Sequence, residues 1–301
     1  ESFIDLGLPV TITNDTQEVE QAVGRSMNMS KVAVVVSIGW HKAPPLSDHI
    51  QALTRMARHG AYVVLFNTEP KRQTTYKIQQ VARTMGASEI WDYSHGAIAR
   101  YYNPLKKAKL ILVRFIPPGC ARGLDMHVSQ QAATRDECHL GLVGAWKTKP
   151  SAEKFSPHGE VKVVGGGYGH DDQRPVHDEE TWRHYLETYP LQVSLHSSFN
   201  AGVRAFESLR AAMVITNGAC LVSEKSHPED EKFWGDIVQF VSVDEVSETY
   251  ARLLCNGTAI RDCQRRSQEI FCSTRRPLQI LAMSGFVAKL HQLRACELPV
   301  A

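Results

Sequence analysis

The sequence lacks several features that would assign it to a specialised class of protein. No apolar run among its 301 residues approaches the roughly 20 residues that a membrane-spanning helix needs. The formal net charge of +2 is nearly balanced, and there is no basic stripe of the kind that binds nucleic acid. We therefore expect no membrane span and no nucleic-acid partner. No signal peptide follows Glu1, which leaves open that a natural leader precedes the sequence.

Metal-binding and disulfide patterns are also missing. The seven cysteines are odd in number and scattered, and they form no C-x-x-C pair. This pattern favours reduced thiols in a cytoplasmic protein over a disulfide framework or a zinc site. His41 and His95 belong to no His-Glu-x-x-His set, so we predict no metal site. Three Asn-x-Ser/Thr sequons, at Asn14, Asn28 and Asn256, arise easily by chance and receive little weight.

What the sequence does contain is a regular alternation of β-branched runs and helical patterns. Its length exceeds the size at which a single core usually stops growing. Buried strands are predicted at 31–38, 62–66, 90–93, 109–114, 139–143, 160–164, 191–195, 213–216 and 220–223. Helices are predicted at 47–58, 76–85, 98–102, 203–212, 244–254, 259–271 and 277–293. The alternation predicts an α/β protein with two Rossmann-like, doubly wound parallel sheets.

The alternation breaks in a polar stretch near residues 122–139 and then restarts. We therefore predict an amino-terminal α/β domain over 1–137, a second α/β domain over 138–276 and a terminal helix over 277–301. Open parallel sheets bind ligands beyond the carboxyl ends of their strands. Two such sheets are expected to face a cleft that holds the functional site.

Two glycine-containing segments follow predicted strands in the second half. Gly144 ends one strand, and Lys147 and Lys149 come shortly after it. A glycine lets the backbone approach a diphosphate closely, and a lysine neutralises its charge. An ordinary turn with exposed lysines is the favoured alternative for these residues alone. Gly167 lies within the glycine-rich run 165–169, which fits a ligand loop and a flexible loop equally well.

A histidine and several charged residues surround the next two strands. His196 lies at the carboxyl end of the strand at 191–195, and Glu224 follows the strand at 220–223. Arg204, Glu207 and Arg210 recur at three-residue spacing, roughly on one face of a predicted helix. A carboxylate can accept both hydroxyls of a ribose, and arginine suits a diphosphate. A surface ion-pair ladder explains the helical residues equally well.

Two further candidates lie in the first half. Glu69, in Asn67-Thr-Glu69-Pro70, follows a strand, where a carboxylate can hold or deprotonate a substrate hydroxyl. The alternative is a turn residue before proline. Trp91 and Tyr93 offer aromatic surfaces that can stack on a sugar or a base. An aromatic core strand is the favoured alternative for this pair.

The order of these segments resembles a set of small two-domain glycosyltransferase-like proteins of bacteria, algae and large algal viruses. The second half is more distantly similar to the spore-coat and group 1 glycosyltransferases of the GT-B fold. The matching pieces, spread over about residues 60–275, are Asn67-Thr-Glu69, Trp91-Asp-Tyr93-Ser94, Gly144, His196, Phe206-Glu207-Ser-Leu-Arg210 and Val222-Ser-Glu224. The sequence departs from the pattern because the arginine pair expected after Gly144 is absent, and Ser-Ser-Phe-Asn follows His196 instead of an aromatic pair.

The resemblance implies a metal-independent glycosyltransferase of GT-B type, whose terminal helix crosses back onto the first domain. It implies a nucleotide sugar that is a substrate and not a cofactor, bound to the second domain, and the matching residues Gly144, Glu207, Arg210 and Glu224 are expected to contact it. Lys147, Gly167 and Arg204 join this expected donor site because of their positions and residue types. It implies an acceptor of unknown kind (a glycan, a protein or a small molecule) near Trp91 and Tyr93, with Glu69 and His196 as catalytic residues. Two alternatives stay open: a catalytically inactive nucleotide- or sugar-binding relative, which the departures favour, and a doubly wound binding protein with no sugar role.

Overall fold

The chain folds into two compact units. The computed structural model describes residues 2–13, 15–28, 32–38, 46–69, 72–102, 111–128, 140–143, 161–164, 179–196, 204–253 and 256–295. The first unit comprises Glu1–Pro117 together with Leu278–Ala301, and the second comprises Pro118–Pro277. The chain therefore passes between the units twice, once before the polar stretch and once at the start of the terminal helical segment. The boundary predicted at residue 137 lies outside the described residues.

The first unit contains a four-stranded parallel sheet with the strands in sequence order. Its strands are β1 (Val34–Ile38), β2 (Tyr62–Asn67), β3 (Glu89–Asp92) and β4 (Leu112–Phe115). Its helices are α1 (Ser2–Asp5), α2 (Thr16–Asn28), α3 (Leu46–Arg58), α4 (Arg72–Met85), α5 (His95–Tyr101), α11 (Pro277–Met283) and α12 (Phe286–Ala295). The four strands predicted for the first half are confirmed, because buried β-branched runs are a local signal of parallel strands.

Side chains of this sheet alternate between two covered faces. Val63, Leu65 and Ile90 are fully buried in one hydrophobic core with α2, α3 and α4. The alternate residues Tyr62 and Trp91 contact the ring of Phe286 on α12. The terminal helical segment therefore covers the second face of the first sheet.

The second unit contains a five-stranded parallel sheet in the order β6-β5-β7-β8-β9. Its strands are β5 (Leu140–Val143), β6 (Val161–Val164), β7 (Leu191–Ser194), β8 (Cys220–Glu224) and β9 (Gln239–Val241). Its helices are α6 (Glu179–Thr188), α7 (Ser208–Thr216), α8 (Pro228–Trp234), α9 (Val243–Leu253) and α10 (Gly257–Thr274), with a 3₁₀ turn at Arg122–Leu124. β7 and β8 are buried along their whole length, as expected for central parallel strands.

Two of the predicted elements are wrong. The strand predicted at 213–216 is the last part of α7, because a short apolar run cannot be distinguished by periodicity from a buried helical segment. The single helix predicted at 277–293 is two helices, α11 and α12, separated at Ser284 and Gly285. Gly285 adopts a φ of 77°, which ends the first helix in the left-handed region.

The expectation of reduced cysteines is also wrong for all four cysteines that the structure describes. Cys120 is bonded to Cys272, and Cys220 is bonded to Cys263. The partners are 152 and 43 residues apart, so cysteine spacing alone carries no sign of either pair. Within the described part of the chain, every helix is too short or too polar to cross a bilayer.

Candidate functional site

The carboxyl edge of the second sheet brings His196 and Glu224 together. β7 and β8 are adjacent, with Ser194 paired to Ser223, so the residues that follow these strands emerge side by side. Glu224 is only 5% exposed, and its Oε2 accepts a hydrogen bond from the backbone N–H of His196 at 2.5 Å. A hydrogen bond to a carboxylate is stronger than one between neutral groups, and this one joins the ends of β7 and β8.

The segment Lys225-Ser226-His227, here called the 225–227 loop, determines the tautomer of His196. The backbone oxygen of Lys225 lies 2.9 Å from Nε2 of His196. Because a carbonyl oxygen only accepts hydrogen bonds, Nε2 must carry the proton. In the neutral ring, Nδ1 is then the atom that can accept a hydrogen bond or a proton.

The same loop contacts Arg204. The backbone N–H of His227 donates to the backbone oxygen of Arg204 at 2.9 Å. Arg204 has an exposed side chain and a φ of 48°, in the left-handed region that residues other than glycine rarely adopt. Such a conformation costs about 1–3 kcal/mol, and residues that adopt it cluster at functional sites. The 225–227 loop therefore connects His196, Glu224 and Arg204, which are separated by up to 28 residues in sequence.

Glu207 and Arg210 form an ion pair at the start of α7. Their closest atoms are 2.8 Å apart, and the side chains are 19% and 29% exposed. Glu207 is the residue before the helix, and Arg204 lies outside it, so the three residues do not share one helical face as predicted. The Glu207–Arg210 contact is an ion pair at three-residue spacing, as in the alternative interpretation. Both side chains are still partly accessible to a ligand.

Three predicted donor-site residues, Gly144, Lys147 and Gly167, lie outside the described residues. The strands that precede them are β5 and β6. Both strands are parallel to β7, so all three strands end at the same edge of the sheet.

A buried polar network holds the corresponding edge of the first sheet. Asn67 ends β2, Asp92 ends β3, and the two residues are paired in the sheet register. Asp92 is fully buried, and its Oδ2 accepts hydrogen bonds from Nδ2 of Asn67 at 2.7 Å and from the hydroxyl of Tyr102 at 3.1 Å. Its Oδ1 accepts the backbone N–H of Ser94 at 2.9 Å. Burial and the charge of Asp92 raise the pKa of Tyr102 well above its usual value, so Tyr102 remains a donor.

Asn67 and Asp92 organise this edge, and neither was predicted as a site residue. Both are polar residues at the ends of adjacent parallel strands, a signal that could have identified them. Glu69 depends on this network, because its backbone N–H donates to Oδ1 of Asn67 at 3.2 Å. The side chain of Glu69 is partly exposed at the carboxyl edge of the sheet. The backbone contact with Asn67 fits the alternative role of Glu69 as a turn residue.

The two aromatic residues predicted to bind the acceptor are buried. Trp91 is 4% exposed, its indole N–H donates to Glu89 at 3.0 Å, and its ring packs edge-on against Phe286 with a centroid distance of 4.7 Å. Tyr93 is buried as well. Trp91 and Tyr93 therefore do not form the accessible stacking surface that was predicted. They belong to an aromatic core, which was the alternative, because strand β3 is covered on the face that carries Trp91.

A second polar pair, Ser37 and His49, was not predicted. Ser37 is the penultimate residue of β1, and its hydroxyl lies 2.9 Å from Nε2 of His49 on α3. Burial lowers the pKa of His49, which favours the neutral imidazole. Among the described residues, no three His, Cys, Asp or Glu side chains are grouped so that they could hold a metal ion.

Comparison with known proteins identifies the fold. No protein-family model and no curated protein matches the chain. The solved structure of HepE from Anabaena with UDP-glucose has a TM-score of 0.56 and 10% identity, over 96% of this chain and 88% of that one. An α-glucosyltransferase bound to UDP and a 13-mer DNA containing an HMU base has a TM-score of 0.58 and 10% identity, over 95% and 85% of the two chains.

A glycosyltransferase from Rickettsia africae has a TM-score of 0.50 and 9% identity, over 98% of this chain and 85% of that one. At such identities the similarity concerns the fold. Together with the two parallel sheets, it defines a fold of GT-B type, built from two Rossmann-like α/β units.

Proposed function

We propose that the chain is a glycosyltransferase that uses a nucleotide sugar, with the donor bound at the carboxyl edge of the second sheet. The observation that carries this proposal is the 225–227 loop, which connects His196, Glu224 and Arg204 at the edge where open parallel sheets bind ligands. The fold supports it, since the similar HepE was solved with UDP-glucose and the similar α-glucosyltransferase with UDP.

The proposed donor contacts follow from charge and position. Arg204 and Arg210 supply positive charge for the diphosphate, and Glu207, directly before α7, accepts hydrogen bonds from the ribose hydroxyls. Glu224 orients His196, whose Nδ1 accepts a hydrogen bond from the transferred sugar. We include Gly144, Lys147 and Gly167 in the proposed diphosphate site. Basic side chains would then stabilise the leaving group without a metal ion.

The proposed acceptor site lies on the first unit, at the edge held by Asn67 and Asp92. Glu69 is the proposed general base, because an attacking acceptor hydroxyl must lose its proton in an inverting transfer. In this proposal, a Glu69→Gln variant loses turnover by about 10²–10⁴-fold while it keeps its affinity for UDP. Unchanged turnover per folded molecule would assign Glu69 to the turn alone.

The decisive test of the donor site measures UDP affinity by calorimetry in two matched variants. Glu207→Gln removes the carboxylate of the Glu207–Arg210 pair, and Glu269→Gln removes that of Glu269–Arg265, an exposed pair at 3.4 Å on α10. Loss of hydrogen bonds to a charged group costs about 1.5–3 kcal/mol, so Glu207→Gln should weaken UDP binding roughly 10- to 150-fold. Glu269→Gln should leave it unchanged.

Equal affinity in both variants would contradict the proposed donor site. ADP and GDP, measured beside UDP, identify the base. Release of UDP from UDP-sugars then separates an enzyme from the alternative, an inactive relative that binds the nucleotide without cleaving the sugar bond.

A further inference from the structure

The two disulfides are evidence about the compartment in which this chain folds. All four cysteines within the described residues are paired, with Cα–Cα distances of 5.0 Å for Cys120–Cys272 and 5.4 Å for Cys220–Cys263. Both distances lie within the usual range for disulfides, about 4.4–6.8 Å. Such bonds form and persist in oxidising environments such as the secretory pathway, and are rare in the cytosol. The cysteines therefore do not support the cytoplasmic location that was expected from their spacing.

In an oxidising secretory compartment, the sequon Asn256-Gly257-Thr258 is an acceptor sequence for N-glycosylation. Asn256 and Thr258 are both exposed, at the start of α10. Oδ1 of Asn256 accepts the backbone N–H of Ala259 at 3.0 Å and caps the helix. This contact involves only the amide oxygen of Asn256. N-glycosylation modifies the amide nitrogen, which this contact does not involve.

We propose that Asn256 is an N-glycosylation site and that the chain folds in an oxidising secretory compartment. The donor is a lipid-linked oligosaccharide diphosphate. A bond forms between Nδ2 of Asn256 and C1 of the first sugar, the bond between C1 and the phosphate oxygen breaks, and Nδ2 loses one proton. The product keeps its amide carbonyl, so Oδ1 continues to cap α10 after modification.

The topology of the second unit separates this glycan from the proposed donor site. Helix α9 follows β9 in the chain, and Asn256 directly precedes α10. Further along α10, Cys263 is bonded to Cys220, the first residue of β8, and Gln264 donates to the backbone oxygen of Gly218 just before that strand. Glu224 ends the same strand, so α10 contacts the edge opposite to the 225–227 loop.

The test expresses the chain with a secretion signal in a eukaryotic cell line and maps the Asn256 peptide by mass spectrometry. Digestion with peptide N-glycosidase in ¹⁸O-water labels each asparagine that carried a glycan. Total cell extract and medium are analysed together, so that retained chains are counted. We expect most copies to be labelled at Asn256. When the chain is alkylated before reduction, we expect the four described cysteines to remain unalkylated, because they are held in disulfides.

Two variants isolate the sequon. Thr258→Ala should abolish the label while Asn256 still caps α10, and Thr258→Ser, which preserves the sequon, should retain it. An unlabelled Asn256 in disulfide-bonded chains, or free thiols at the four cysteines, would overturn the proposal. The separation of the glycan from the donor site rests on the proposed function and is tested by its own measurement, the affinity for UDP before and after deglycosylation. A change below twofold is expected, and a change above tenfold would overturn the separation from the donor site.

Discussion

At the scale of single residues, Asp92 connects the Asn67-Thr-Glu69 segment to the Trp91-Asp-Tyr93-Ser94 segment in the first unit. Its two oxygens accept from Asn67, Tyr102 and the backbone of Ser94, although the side chain has no exposure to solvent. A buried carboxylate is tolerated only when its oxygens are matched by donors. The carboxylate is therefore a structural anchor for the strand ends that carry Glu69.

We expect Asp92→Asn to be strongly destabilising. The new amide nitrogen would face donors that now point at an oxygen, and the unfolding free energy of the first unit should fall by about 2–4 kcal/mol. Tyr102→Phe removes only one donor and should cost about 1 kcal/mol. Urea unfolding followed by circular dichroism compares the two, and an equal loss in both would refute the anchoring role.

His49 predicts a pH dependence of stability. Its folded pKa is lowered by burial from an ordinary value of 6.5, so the unfolded chain binds a proton at higher pH than the folded chain. The contribution of the neutral imidazole to stability is thus complete above pH 6.5 and is lost as the pH falls through the lowered pKa.

Between about pH 7.5 and 5, the wild type should therefore lose more stability than His49→Gln. His291→Gln, which removes an exposed histidine of α12, is the control and should follow the wild type. Chemical denaturation at a series of pH values measures the slopes, and parallel curves for wild type and His49→Gln would contradict the effect.

At the scale of secondary-structure elements, the break between α11 and α12 positions the end of the chain on the first sheet. Arg114 of β4 donates to the backbone oxygen of Ser284 at 2.8 Å and pairs with the buried Glu89 at 2.6 Å. Phe286, directly after the break, is fully buried against Trp91. The break therefore turns α12 so that its first residue fills the aromatic core.

Two glycine substitutions should have opposite effects on stability. At Gly285, alanine would need a left-handed φ, and its Cβ would lie 3.3 Å from the guanidinium of Arg114. We expect Gly285→Ala to cost about 1–2 kcal/mol. Gly24 lies inside α2 with open space around it, so Gly24→Ala should add about 0.5–1 kcal/mol. Thermal unfolding measures both shifts, and a neutral Gly285→Ala would show that the break does not require glycine.

At the scale of the whole molecule, the two chain connections between the units run side by side within the second unit. The backbone N–H of Cys120 donates to the oxygen of Arg275 at 2.8 Å. A Cβ on Gly119 would lie 2.5 Å from the same oxygen, so only glycine fits there. The Cys120–Cys272 disulfide joins these two segments covalently.

Removal of this disulfide should weaken the second unit selectively. Both cysteines belong to that unit, and loss of a native disulfide typically costs about 2–5 kcal/mol. In the double variant Cys120→Ser/Cys272→Ser, we expect the calorimetric transition of the second unit to move to lower temperature while that of the first unit stays. A parallel shift of both transitions would show that the bond stabilises the molecule as a whole.

Much of the fold could be predicted from the sequence because its signals are local. Runs such as 31–38 and 62–66 are rich in β-branched or aromatic residues over a strand length and are followed by glycine or turn residues, so they predict buried parallel strands. The alternation with helices then predicts the α/β class. Local signals failed at 213–216, where an apolar run has the same composition in a buried helix as in a strand.

The candidate site was only partly predictable, since it depends on which strands become neighbours. His196, Glu224 and Arg204 could be identified by residue type and position, whereas their meeting at the 225–227 loop follows from the adjacency of β7 and β8. The Asn67–Asp92 network and the Cys120–Cys272 bond likewise join residues 25 and 152 positions apart. The sequence by itself determined most of the secondary-structure elements and the fold class, because these depend on neighbouring residues. The tertiary structure alone decided the pairings, because strand order and register determine which distant side chains come into contact.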